Sequence, residues 1–194
     1  METSIWKAPV DGRVRVSKLN LEGDRQSDLT VHGGIDKAVY VYPSEHYAYW
    51  RIKLPNVDLS WGTFGENFTT EGLLEDQVHI GDRLRIGSAE FVVTQPRLPC
   101  FKLGIRFGDM DMVRNFLRSK RSGFYLAVIR EGHVTENDPI DRHAQQAAGL
   151  TVADIVNLHT GESDNQDLLR RAIELAALPD NWKEHFRDRL KDRP

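Results

Sequence analysis

The chain has 194 residues, with 26 lysines and arginines against 29 aspartates and glutamates, for a formal net charge of -3. That length suits one domain with an appendage, and the slightly acidic balance gives no overall field to recruit a nucleic-acid polymer. A single cysteine excludes an intrachain disulfide framework and fits a reducing, cytoplasmic compartment.

The N-terminal "METSIWKAPVDGRV" has no long apolar run, so neither a signal peptide nor a membrane anchor is expected. No other stretch approaches the roughly 20 apolar residues of a membrane span. The strand "GRVRV" follows, alternating Val14 and Val16 with charged neighbours. "KAVYVYP" is richer in β-branched and aromatic residues and predicts a more deeply buried strand. "PSEHYAYWRIKL" predicts a helix capped by Ser44, with Tyr47, Trp50 or Arg51, and Leu54 on one face. "DQVHIGDRLRIG" reads as extended segments around a Gly81-Asp82 turn, and "AEFVVTQ" as a further strand. "GDMDMVRNFLRS" predicts a helix from Asp109 with an apolar stripe of Met112, Val113, Phe116 and Leu117. "GFYLAVIREGHV" predicts a hairpin turning near Glu131-Gly132. Short strands and glycine-rich turns together suggest a barrel or sandwich.

After about residue 150 the pattern becomes helical. Thr151 and Asp154 have capping-box spacing before a helix that stops near Gly161. A second helix lies between Asp164 and Pro179, with Leu168, Ala172 and Leu175 inward. The third places Trp182, Phe186 and Leu190 on one stripe. Helices this short need something to dock on.

Three runs carry candidate chemistry. In "DLTVHGGIDKAVYVY", Asp28, His32 and Lys37 surround Gly33 and Gly34. Adjacent glycines let backbone N–H groups approach an anion, and Lys37 adds charge; a plain turn with a surface lysine fits equally well. In "WGTFGENFTTEG", Glu66 and Asn67 could hydrogen-bond a heterocycle, although spacing alone favours a structural Asx-type turn. In "TQPRLPC", Pro96 and Pro99 make an extended, stiff approach to Cys100. The bases Arg83, Arg85, Arg97, Lys102 and Arg106 face only Glu90 between positions 83 and 106, which would favour a thiolate. A lone cysteine is otherwise a buried, inert filler. A Cys100–His32 pair is conceivable. Zinc-ligand spacings, a GxSxG elbow and a GxGxxG fingerprint are missing from the sequence, and His46, His79, His143, His159 and His185 default to packing or surface roles.

Taken together, "DLTVHGGIDKAVYVYPSEHYAYW", "GTFGENFTTEGLLEDQVHIGDRLRIG" and "VTQPRLPCFKL" resemble, in order and spacing, the MOSC family, and more narrowly its YiiM-type members. The stretch from about Leu150 resembles their three-helix extension. The resemblance implies an α+β fold, mainly β with helices. It consists of a β-barrel-like MOSC domain over residues 1–150 and a three-helix extension over 151–194. It also implies a molybdenum cofactor, a molybdopterin with a terminal phosphate, with Cys100 as metal ligand and Gly33, Gly34, Lys37, Asn67 and Arg97 as cofactor contacts. His32, then Asp28, would supply protons for reduction of N-hydroxylated compounds such as hydroxylaminopurine-type bases, a detoxifying activity. Pyridoxal phosphate is not expected. Electrons would come from a separate reductase, and a homodimer is compatible with the pattern. Two other functions stay open: a cofactor or sulfur carrier using Cys100, and a non-catalytic binding barrel.

Overall fold

A computed structural model describes residues 5–24, 34–144 and 149–191. Its strands are β1 Val14–Val16, β2 Val39–Pro43, β3 Phe68–Thr70, β4 Arg83–Ile86, β5 Ala89–Pro96, β6 Phe124–Arg130, β7 Gly132–Val134 and β8 Ile140–His143. Its helices are α1 Glu45–Lys53, α2 Phe101–Phe107, α3 Asp111–Ser119, α4 Val152–Thr160, α5 Gln166–Glu174 and α6 Asp180–Lys191, with a 3-10 turn at Ile35–Lys37. Six strands form one sheet in the order β3-β2-β6-β5-β4-β8, antiparallel except where β2 meets β3. β1 and β7 make a separate antiparallel pair. The fold is α+β, a curved mixed sheet with helices and a C-terminal three-helix unit.

The period-2 geometry of β2 explains why all five of its residues are buried. Val39 and Val41 face an aliphatic core, while Tyr40 and Tyr42 face an aromatic one. β6 is split in the same way, with Phe124, Leu126 and Val128 on the aliphatic side and Tyr125 on the aromatic side. The aromatic layer is closed by Tyr47 and Trp50 of α1, Leu103 of α2, and Met112 and Phe116 of α3. On the opposite face, Val152, Ile155 and Leu158 of α4, Leu169 and Ala172 of α5, and Trp182 and Phe186 of α6 join the same cluster as Phe91 and Val93 of β5. The extension therefore shares the core of the sheet.

Several local expectations are corrected. The segment from Phe124 to Val134 is not a hairpin: β6 pairs with β2 and β5, whereas β7 pairs with β1. Glu131 is a corner between two sheets. Ser44 precedes α1, but its side chain makes no capping hydrogen bond. In α5 the fully buried positions are Leu169 and Ala172, with Leu168 and Leu175 only half-buried. α2 and β8 are elements that periodicity does not predict. The capping box is as expected: Thr151 Oγ1 accepts from the Asp154 N–H at 3.0 Å, and Asp154 Oδ2 accepts from the Thr151 N–H at 2.9 Å.

Within the extension, His159 lies 5.0 Å, ring to ring, from both Trp182 and His185. Burial, then His185 and Arg189, hold the His159 pKa below its ordinary value of 6.5. The unfolded chain thus binds this proton more readily. The neutral imidazole contributes stability that is complete above the unfolded pKa and is lost as pH falls below it toward the folded value. Urea midpoints should accordingly drop as the pH is lowered from above the ordinary histidine value to below it, and His159→Gln should reduce that drop. An identical pH dependence in both proteins would contradict the assignment.

Candidate functional site

The chain leaves β5 at Pro96 and runs extended to Cys100, whose φ of -125° and ψ of 175° place it just before α2. Pro96 and Pro99 have no N–H to offer and restrict their neighbours, as the composition of the segment requires. The Arg97 N–H donates to the Gly123 carbonyl at 3.3 Å, and the Cys100 carbonyl accepts from the Leu103 N–H at 2.9 Å. Both ends of the short segment are therefore tied down. Cys100 is a free thiol and only partly buried.

Arg97 is the residue that gives this segment its charge. Its relative exposure is 5%, and its guanidinium carbon sits 5.2 Å from the Tyr40 ring centroid and 5.1 Å from that of Phe116. The side chain also hydrogen-bonds Tyr125 and interacts electrostatically with Cys100. Among the described residues no carboxylate pairs with it, and its buried Nη1 has no hydrogen-bond partner. Burial opposes the Arg97 charge, but the surrounding phenols and the Cys100 thiol outweigh it and hold its pKa above the ordinary value. Burial keeps Tyr40 and Tyr125 protonated beyond the usual phenol range, despite the pull of Arg97. Among the described residues, this region thus combines a fixed cation, aromatic walls and a thiol, without an internal carboxylate to satisfy the cation.

The other anticipated site residues are distributed differently. Gly34 opens the 3-10 turn with φ +103°, a conformation that suits glycine, and its carbonyl accepts from the Lys37 N–H at 3.1 Å. The turn packs on β5 and β6. Burial lowers the Lys37 pKa, with Asp36 working in the opposite direction. Asp28, His32 and Gly33 lie outside the described residues. Asn67 has a structural role, in which its Oδ1 accepts from the Tyr40 N–H at 2.9 Å and its Nδ2 donates to Asp24 at 2.7 Å.

The cluster of bases read from sequence is not assembled around Cys100. Arg83 and Arg85 lie on the exposed face of β4, because alternation sends Leu84 and Ile86 to the core. Arg85 pairs with Asp141 across to β8, and Arg106 stacks on Trp6 at 4.0 Å. Glu90 pairs with Arg130. Of Arg83, Arg85, Arg97 and Arg106, Arg97 is the one that interacts electrostatically with the thiol.

Two buried carboxylates organise neighbouring turns. Glu66 accepts from the Tyr47 hydroxyl, from the Gly62 and Phe64 N–H groups at 2.9 and 3.1 Å, and from Thr69 Oγ1 at 3.1 Å. The "GTFGEN" run is therefore a turn folded around its own carboxylate. Glu75 accepts from the Gly123 N–H at 2.7 Å and pairs with His46 Nε2 at 2.7 Å, so His46 is buried and partnered rather than superficial. Gly123 has φ +60°, and a Cβ there would lie 2.3 Å from the Val41 carbonyl oxygen. Sequence reasoning missed Tyr40, Tyr125 and Phe116 as the walls around Arg97. The signal that could have found two of them was the aromatic alternation in "VYVYP" and "GFYL".

Comparison with known proteins follows the same layout. The MOSC domain family matches residues 28–141, and the YiiM-like, 3-alpha helix domain matches residues 150–193. YflK of Bacillus subtilis (strain 168) is 40% identical over 195 aligned residues, covering 100% of this chain and 86% of that protein. The crystal structure of YiiM from Geobacillus stearothermophilus superposes with a TM-score of 0.85 at 34% identity, covering 97% of this chain and 90% of the other. A protein named "Reductase" from Gibberella moniliformis (strain M3125 / FGSC 7600) is 29% identical over 99% of this chain, which spans only 34% of that longer protein. With the domain match covering more than half of its length and the helical match covering the extension, the chain belongs to the MOSC family, in its YiiM-like branch.

Proposed function

We propose that the protein is a molybdenum-cofactor-dependent reductase of small N-hydroxylated compounds. The observation that carries this reading is the buried Arg97 cation, with one nitrogen unsatisfied and no carboxylate beside it among the described residues, within electrostatic reach of the sole thiol. A buried charge without a partner costs several kcal/mol, about 3–5 when a pair is broken, and an anionic ligand offsets that cost. A thiolate is a soft ligand suited to a metal that already has sulfur donors. The donor set fits a phosphate-bearing, sulfur-ligated metal cofactor: Cys100 would hold the metal, and Arg97 would hold an anionic part of the pterin. Lys37 and the Gly34 backbone would add further contacts to it.

When bound, the cofactor supplies the two-electron chemistry that converts R–NHOH and two protons into R–NH2 and water. The chain itself must fix the thiolate, exclude water and deliver protons. Tyr40 and Tyr125 remain protonated donors through the neutral range, and the Tyr40 hydroxyl is committed to the Ser122 carbonyl at 2.9 Å. His32, with Asp28 second, is the titratable group assigned to proton delivery, since an unperturbed imidazole titrates near neutrality. Electrons come from a separate reductase. The longer relative from Gibberella moniliformis, which carries this kind of module within a larger chain named a reductase, supports an electron source outside the module.

Protein from a host that makes the cofactor should reduce 6-hydroxylaminopurine with a chemical reductant, and turnover should track molybdenum content. Arg97→Met should raise the cofactor concentration for half-saturation by about 10- to 150-fold, the worth of one charge-assisted hydrogen bond, while the melting temperature stays level or rises. Persulfide on Cys100 without turnover would favour sulfur carriage, and neither signal would favour a binding barrel.

A further inference from the structure

The extension reaches β5, the strand that leads to Arg97, through a buried side-chain hydrogen bond. Trp182 of α6 is 4% exposed and Gln95 of β5 is 3% exposed. The indole Nε1 of Trp182 donates to Gln95 Oε1 at 2.6 Å, across 87 residues of chain. Gln95 stands two positions before Arg97, just past a register irregularity between Val93 and Gln95 in the β5–β6 pairing. Bulges of this kind re-aim side chains. Beyond the indole, Gln95 Nε2 faces the Asp36 carbonyl at 3.5 Å, and Thr94 Oγ1 donates to that carbonyl at 2.7 Å. One indole proton therefore orients an amide whose other end faces the turn that carries Lys37.

A second path runs along the backbone. The Val152 and Ala153 N–H groups donate to the Val78 and Glu75 carbonyls, both at 2.9 Å, and the Ile80 N–H donates to the Leu150 carbonyl at 2.9 Å. The Glu75 side chain holds the Gly123 N–H, and the Gly123 carbonyl receives the Arg97 N–H. The extension is thus linked to the arginine's strand end by two routes, one through Gln95 and one through Glu75 and Gly123.

We propose that the three-helix extension is a functional part of the site, and that Trp182 is a positioning residue that sets Arg97 against Cys100 through Gln95. The inference rests on the reading of Arg97 and Cys100 as the cofactor-binding pair. A phenylalanine would fill most of the same core space beside His159 and Phe186, so packing alone does not require the indole N–H. The bond does two things that packing does not. It satisfies a buried amide oxygen, and it fixes which way the strand end faces.

The lone cysteine provides a test that needs neither cofactor nor turnover. A guanidinium fixed beside the thiolate speeds alkylation by anionic iodoacetate relative to neutral iodoacetamide, so the ratio of the two rates reports the position of Arg97. Arg97→Met should lower the ratio about fivefold at low salt, and Trp182→Phe should lower it to a similar value. The double variant Trp182→Phe/Gln95→Met removes both partners and should recover most of the wild-type melting temperature, because no buried amide oxygen is left unsatisfied. Its alkylation ratio should nevertheless stay low. A role in packing alone would restore both quantities together. If Trp182→Phe keeps the wild-type ratio while Arg97→Met loses it, the positioning role is overturned and the cofactor reading stands. If Arg97→Met also leaves the ratio unchanged, the Arg97–Cys100 pairing fails, and the cofactor reading falls with it.

Discussion

Cys100→Ser is expected to abolish reductase turnover while leaving the melting temperature close to that of the wild type. The side chain is only partly buried and makes no capping hydrogen bond to α2. The Cys100 carbonyl, which accepts from the Leu103 N–H at the start of that helix, is unaffected by the change. Serine preserves size and removes the soft donor. Oxygen is a harder donor than a thiolate, so a metal matched to a sulfur ligand loses that match in the serine variant, in both binding and electronic tuning. Loss of a residue that merely orients a ligand costs metal sites about 10- to 100-fold, and loss of the ligand itself should exceed that range. Activity is measured with saturating chemical reductant, so that electron supply does not limit the comparison. Full activity in the serine variant would refute the proposed role of Cys100 as a metal ligand.

The largest effect on stability is expected at Glu66. This residue is 3% exposed, and its carboxylate accepts from Tyr47, Gly62, Phe64 and Thr69. Glu66→Ala strands four donors in a space that water enters poorly. At about 1–3 kcal/mol for each unsatisfied buried group, the loss should be at least about 4 kcal/mol, comparable to the whole stability of a marginal domain. Glu66→Gln should fall between the wild type and the alanine variant, because the amide keeps one acceptor oxygen but turns an NH2 group toward existing donors. Tyr47 is a donor in this arrangement over the whole physiological pH range, since burial and the Glu66 charge push its pKa far above the phenol value. Urea denaturation gives the measurement, and an alanine variant with an unchanged midpoint would mean that the turn does not depend on its carboxylate.

Much of the frame is legible in the sequence because it is local. The alternation in "KAVYVYP" and "AEFVVTQ" marks β2 and β5, and the Thr151–Asp154 spacing marks the start of α4. The prolines around Arg97 imply the extended approach to Cys100 that the structure shows. What escapes depends on which segments meet. A glycine after Glu131 signals a change of direction but not the partner strand, so local pattern pairs β7 with β6 where the fold pairs it with β1. Arg83, Arg85 and Arg106 are close to Arg97 in sequence, yet strand alternation, ion pairing and ring stacking give them other surroundings, while Arg97 interacts with the thiol. Tyr40, Phe116 and Tyr125 meet Arg97 from three elements, and the Trp182–Gln95 bond joins the extension to the sheet. Asn67 could have served a ligand by its chemistry, but the structure uses its amide to join β2 to the Asp24 segment.

The proposed function requires that the buried arginine and the lone thiol together retain an anionic molybdenum cofactor. Metal analysis of wild-type, Arg97→Met and Cys100→Ser proteins, purified side by side from a cofactor-producing host, tests it most directly. The wild type should carry near-stoichiometric molybdenum and both variants should be markedly depleted, with all three folded. Equal molybdenum in the three proteins, or none in the wild type under conditions that load a known molybdenum enzyme from the same host, would contradict it.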